Sequence, residues 1–283
     1  MSDAHAEGTA RQAVQDDADF LHNFHTHTFR CKHATGDAAD YCAEAVARGM
    51  RTLGFSDHTA LPDDRWQRER MSYAQLDDYV AAVNAARADH PSLRVLLGME
   101  CEYVPQMHAY YEDELFGARS FDYLVGGPHY FERDGKFVGT YGGTRDAAAL
   151  RDYAAYLVSM IDSGLFDFIA HPDLFGNCYR DWDADTIACS RDIIAAAKAR
   201  GVALEVNALG LRKIAHRKAD NPYPLYPWLP FWELAAEEGA DVIVNSDAHR
   251  PQDLQSRTAE AHAIVARLGL RHVAPTRIGT RGR

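Results

Sequence analysis

Nine residues with metal-ligand chemistry fall where short apolar runs stop: His25 and His27, His33 six positions on, His58, Glu100, His129, His171, Asp247 and His249. In an ordinary globular chain histidines and acids scatter over helix faces and loops. On an extended segment residues i and i+2 point the same way, so His25-Thr26-His27 and Asp247-Ala248-His249 can each aim two donors into one centre. Neutral imidazole suits zinc, iron or manganese, and a carboxylate can bridge two ions. The pattern predicts a metal centre assembled from strand ends far apart in sequence. Nothing points to a protein nucleophile: there is no G-x-S-x-G elbow, and no cysteine stands in a recognisable Cys/His pattern.

Such convergence needs a scaffold. Apolar, β-rich runs lie at 20–24, 52–56, 94–99, 121–126, 166–170, 202–206 and 241–245. Between them, helical spacing with Ala-rich faces covers 37–48, 73–89, 146–162, 185–199, 231–238 and 252–267. Gly49, Gly164, Gly201 and Gly239 stand where helix C-caps belong. Seven β-α units predict an α/β fold with a closed or nearly closed parallel barrel over residues 20–275, its active face at the C-terminal ends of the strands. An open doubly wound sheet would place a Gly-rich phosphate loop after the first strand, and HTHTFRCKHA is not one. Residues 1–19 read as a flexible tail and 276–283 as a basic one, frayed or packed on a neighbour.

The 283 residues carry 30 Lys+Arg against 41 Asp+Glu, a formal charge of −11, which argues against a nucleic-acid surface. Three divalent ions would add about +6 and bring the molecule nearer neutrality. Five cysteines, an odd number without a C-x-x-C pair, indicate neither a disulfide framework nor a zinc ribbon and fit a reducing cytoplasm. The N-terminus lacks the basic start and apolar stretch of a signal peptide, and no run approaches the roughly 20 apolar residues of a membrane span. The expected partner is a small molecule, with the chain a monomer or homo-oligomer.

The ordered motifs H-T-H with its further histidine, S-D-H at 56–58, G-x-E at 98–100, P-H-Y at 128–130, A-H-P at 170–172 and S-D-A-H at 246–249 resemble the polymerase-and-histidinol-phosphatase (PHP) family. GMECEY at 98–103 and LEVNALGLRK at 204–213 resemble its histidinol-phosphate phosphatase branch. The resemblance implies a distorted (β/α)7 barrel and a trinuclear centre of two or three Zn, Mn or Fe ions. Carried over by position, His25, His27, Glu100 and Asp247 would hold one ion. Glu100, His129 and His171 would hold a second, and His33, His58 and His249 a third. Glu100, Asp247 and His249 carry the catalytic assignment. Glu102 shares the parity of Glu100 and either supports or replaces it, and Asp57 orients His58 or caps a turn. Cys31 and Cys101 read as structural, as do the aromatics Tyr223, Tyr226, Trp228, Phe231 and Trp232.

The chemistry implied is in-line attack on phosphorus by a hydroxide bridging two ions, giving a phosphomonoesterase. L-Histidinol phosphate, an intermediate of histidine biosynthesis, is the substrate the branch implies. A phosphatase for a sugar or nucleoside phosphate is the second reading, and a polymerase-associated accessory module the third. Arg180 and Arg212, in loops over the active face, are the candidate phosphate-binding residues. Amidohydrolases also open with H-x-H, but their binuclear type commonly bridges its metals with a lysine after strand four, and no lysine stands there.

Overall fold

The computed structural model describes residues 20–215 and 226–280. Ten strands occur among them: β1 (His22–Asn23), β2 (Thr52–His58), β3 (Arg94–Cys101), β4 (Tyr123–Gly126), β5 (Tyr130–Arg133), β6 (Lys136–Gly139), β7 (Phe168–Ile169), β8 (Ala203–Asn207), β9 (Asp241–Asn245) and β10 (Arg271–His272). Helices follow them at Ala38–Ala47, Leu76–Asp89, Ala147–Asp162, Ala184–Arg200, Leu229–Glu238 and Thr258–Leu268. Eight strands form one parallel sheet in the order β1-β2-β3-β4-β7-β8-β9-β10, and β5 and β6 pair as a separate antiparallel hairpin.

The sheet curls until the chain after β1 meets the chain after β9. His27 N–H donates to Ala248 O at 2.9 Å and Ala248 N–H to His25 O at 3.1 Å. Two amide side chains extend this seam: Asn245 Oδ1 accepts from Phe24 N–H at 2.8 Å, and Asn23 Oδ1 from Ser246 N–H at 2.7 Å. Side-chain bonds replace a regular ladder here, which is the distortion of the barrel.

Because side chains alternate across a strand, the barrel interior is layered. Phe24, Leu96, Tyr123, Val125, Phe168, Ala203 and Ile243 form its apolar floor. Two residues further along β3, β8 and β9 come Gly98, Glu205 and Asn245, and two further again Glu100, Asn207 and Asp247. Gly98 is required at its place: a Cβ there would lie 2.3 Å from the Tyr123 ring. That ring spans the interior and its hydroxyl donates to Phe24 O and Phe55 O.

The seven expected strands all appear, and the four C-cap glycines all take positive φ. Three segments outside the expected strands and helices form elements of their own: the π-helical turn Tyr110–Ala118, the β5–β6 hairpin and the helix Ala208–Ala215. The segment 276–280 lies on the barrel floor: Ile278 is buried, Arg277 pairs with Asp241, and Gly279 N–H donates to Asp167. Residues 1–19 and Tyr223 lie outside the described residues. Phe231 and Trp232 are buried in packing, as expected, whereas Tyr226 also faces the cavity above the barrel.

Candidate metal centre

Strand ends deliver the nine candidate residues to one cleft. His25 and His27 follow β1, His58 and Glu100 end β2 and β3, and β3 pairs with β2 so that His58 and Glu100 stand side by side. Glu100 occupies the middle. Its Oε2 lies 3.0 Å from His58 Nδ1, 3.4 Å from His25 Nε2 and 3.6 Å from His27 Nε2. Its Oε1 faces the other way, 3.3 Å from His171 Nε2 and 3.5 Å from His129 Nε2. Asp247 Oδ1 lies 3.2 Å from His27 Nε2, 3.4 Å from His249 Nδ1 and 3.6 Å from His25 Nε2. The His33 ring lies 4.8 Å from that of His249 and 5.3 Å from that of His58, centre to centre.

These donors converge without satisfying one another. Both Glu100 oxygens, Asp247 Oδ1 and His58 Nδ1 are buried and lack hydrogen-bond partners. Buried acceptors are normally paired, and each orphan costs about 1–3 kcal/mol. Donor sets fit for an ion, such as His25, His27 and Glu100, or His58, Glu100 and His129, have ligand atoms within 4.8 Å of one another. The backbone is strained at two of these positions: His171 has φ 29° and Asp247 φ 49°. Such conformations cost about 1–3 kcal/mol and persist where surroundings enforce them.

A set of supporting groups holds the rings. His25 Nδ1 is 2.9 Å from Glu205 Oε1, which also accepts from Asn245 Nδ2. Glu205 Oε2 accepts from Asn207 Nδ2 at 2.7 Å and from the His171 amide at 3.2 Å, so one carboxylate ties β8 to three neighbours. Glu102 lies behind His129, with Nδ1 3.1 Å away, and takes both guanidinium nitrogens of Arg70. It therefore supports the histidine rather than replacing Glu100. Asp57 accepts from the Thr28 hydroxyl and amide and stands 3.6 Å from His27 Nδ1; only the backbone amide of His58 reaches it, so it serves His27 and not the His58 ring.

The electrostatics follow from these contacts. Burial would raise the Glu100 carboxyl, but His129, His25 and His58 hold it well below the usual carboxylate range. Asp247 is buried too, and His25 and His27 hold it low. Burial pushes His27 down, yet the adjacent Asp247 and Asp57 carboxylates outweigh it and raise the ring to about 9. His58, with burial and His27 acting together, is pushed down to about 3. The centre keeps its carboxylates ionised.

The cleft is a cavity of about 500 Å³ lined by His33, His58, Glu100, His129, His171, Asp247 and His249, with Arg68, Glu69, Arg70, Tyr141, Leu209, Lys213 and Tyr226 around them. Neither expected arginine is among these residues. Arg180 is exposed, outside the lining. Arg212 is buried and donates to the carbonyls of Asp247 at 2.7 Å and Ser256 at 3.1 Å; its charge braces the backbone beneath a candidate ligand. Sequence reasoning missed Glu205 and Lys213, although LEVN places Glu205 on the inward parity of β8 and LGLRK puts Lys213 one helical turn after Leu209.

Among known proteins, the PHP domain family model matches residues 23–209. The probable histidinol-phosphatase of Deinococcus radiodurans is 34% identical over 260 residues, covering 88% of this chain and 94% of that protein. The probable histidinol-phosphatase of Schizosaccharomyces pombe is 22% identical, covering 87% and 86%. Two solved structures share the fold. A chain from Listeria monocytogenes has a TM-score of 0.66 at 22% identity, covering 82% of this chain and 97% of its own. The histidinol phosphate phosphatase of Lactococcus lactis, solved with zinc, L-histidinol and phosphate, has a TM-score of 0.61 at 14% identity, covering 89% and 95%. With the matched segment bearing seven of the nine strand-end residues, the central Glu100 among them, this chain belongs to the PHP family.

Proposed function

We propose that this chain hydrolyses L-histidinol phosphate to L-histidinol and phosphate. At the coarser level it is a phosphoric monoester hydrolase that depends on divalent metal ions. The observation that carries the reading is the division of Glu100, one oxygen among His25, His27 and His58 and the other between His129 and His171. A carboxylate so placed suits two ions at once. His25, His27, Glu100 and Asp247 would hold one ion, Glu100, His129 and His171 a second, and His33, His58 and His249 a third. Zinc, manganese and iron suit this mixture of imidazole and carboxylate.

Divalent ions bound there supply Lewis acidity, which makes a nucleophile of water near neutral pH and neutralises phosphoryl charge. The residues of the chain do the positioning. Glu205, Glu102 and Asp57 fix the rings of His25, His129 and His27, and the Glu100 and Asp247 carboxylates stay deprotonated, ready to ligate. The Deinococcus relative and the ligands of the Lactococcus structure support the substrate.

The test is phosphate release by metal-loaded protein from L-histidinol phosphate, sugar phosphates, nucleoside monophosphates and a phosphodiester. L-Histidinol phosphate is expected to lead in kcat/KM by roughly 100-fold or more, as polar recognition of the leaving group allows. Better turnover of a sugar or nucleoside phosphate would overturn the substrate assignment.

A further inference from the structure

We infer that Lys213 is the side chain that binds the phosphoryl group. The inference rests on the phosphomonoester reading above and assigns the cation that reading leaves open. Three cationic side chains line the cavity among the described residues: Arg68, Arg70 and Lys213. Arg70 is committed, with both terminal nitrogens on Glu102. Arg68, in the turn before it, and Lys213 are both exposed, and of the two it is Lys213 that phenol hydroxyls hold.

Lys213 is held in place. The helix Ala208–Ala215 leaves β8 directly, and its residues Leu209 and Lys213, four apart and on one face, both line the cavity. Adjacent Arg212 points to the Asp247 carbonyl instead. Lys213 Nζ lies 3.0 Å from the Tyr226 hydroxyl and 3.4 Å from that of Tyr141. Tyr226 is itself buried, with its ring centre 5.4 Å from that of His171, so the ammonium is tied to the wall of the metal centre. An ammonium has three protons. Two phenol oxygens accept two of them, and the third is left for the cavity.

Neutral phenols position the charge without cancelling it. No carboxylate among the described residues lies within 4.0 Å of Lys213 Nζ, in contrast to the Arg70–Glu102 pair. A preorganised cation without a carboxylate partner, held on the Tyr226 phenol that packs against His171, matches a phosphate dianion whose other oxygens would face the ions. It contacts the group common to all monoesters, so it contributes affinity and orientation but no choice among alcohols.

The probe is inorganic phosphate, titrated by calorimetry into metal-loaded protein. Lys213→Met is expected to weaken binding at least tenfold with metal content unchanged, Lys213→Arg to restore most of it, and Arg68→Met to change it less than twofold. In turnover, Lys213→Met should lower kcat/KM by similar factors for L-histidinol phosphate and p-nitrophenyl phosphate. Unaltered phosphate binding in Lys213→Met, or the main loss in Arg68→Met, overturns the assignment. If phosphate binding depends on Lys213 while another ester proves the better substrate, this inference stands and the histidinol phosphate reading falls.

Discussion

Glu205 shows what a single buried carboxylate can do without touching an ion. By accepting at His25 Nδ1 it fixes the tautomer that leaves Nε2 lone-paired toward Glu100 and Asp247, and its second oxygen pins Asn207 and the His171 amide. Glu205→Gln keeps the shape but removes the charge that favours this tautomer. Metal affinity should fall by roughly 10–100-fold, with most of kcat recovered at saturating metal. A metal titration that separates affinity from kcat checks this; unchanged affinity would make Glu205 merely structural. Arg212→Ala removes a buried guanidinium from the Asp247 carbonyl, at a cost of about 2 kcal/mol in urea unfolding. Ligand types were legible in the sequence at this scale because neither packing nor solubility calls for imidazole pairs and lone carboxylates at the ends of buried strands. Which cationic side chain would face the cavity was not. A side chain as long as arginine can turn either way from the same backbone position, and Arg212 turned inward to a carbonyl while its neighbour Lys213 faced the cavity.

Elements were legible where their pattern was periodic. Strand and helix positions from Thr52 to Asn245 follow apolar runs and Ala-rich faces, and the parity Leu96-Gly98-Glu100 already encodes floor, middle and rim. The β5–β6 hairpin and the π-helical turn Tyr110–Ala118 lie outside the repeating unit, so no period announced them. Nor did the sequence reveal that the barrel floor is a titratable place. The His262 and His272 rings meet there, tilted by 39° with centres 5.2 Å apart, and Val244 N–H donates to His272 Nε2. Burial, with His272 nearby, pushes His262 down to about 3, and burial pushes His272 down to about 4. The fold thus favours neutral rings, whereas the unfolded chain takes up protons near 6.5. Between about pH 6.5 and 3 the unfolded state binds more protons, so this stability is complete above that window and is lost as pH falls through it. For these partly exposed rings the loss is on the order of 2 kcal/mol by pH 4.5. Urea unfolding of chelated protein at pH 7 and 4.5 measures it. His262→Leu should flatten the difference, and an unchanged acid slope in that variant would refute the account.

The whole molecule reads as a scaffold whose stability and charge are completed by its ions. A formal charge of −11 and a centre in which both Glu100 oxygens and Asp247 Oδ1 find no hydrogen-bond donor are two views of that incompleteness. An ion bound to the folded chain stabilises it by about 2.7 kcal/mol at a hundredfold excess over Kd, so two sites together give roughly 5 kcal/mol. Manganese is the ion to use, since a hard cation has little affinity for the cysteines and histidines of unfolded chain and the gain stays close to this value. Chelated protein should therefore unfold at lower urea than the manganese-loaded form. Glu100→Gln separates cause from correlation. It is nearly isosteric and removes a buried anion, so the chelated variant should match chelated wild type within about 1 kcal/mol. With manganese, however, it should recover less than half of the wild-type gain, because one of the two oxygens facing the histidine groups becomes an NH2 and the other no longer carries charge. A full manganese-induced gain in Glu100→Gln would mean that the ions are held elsewhere and that Glu100 does not join them.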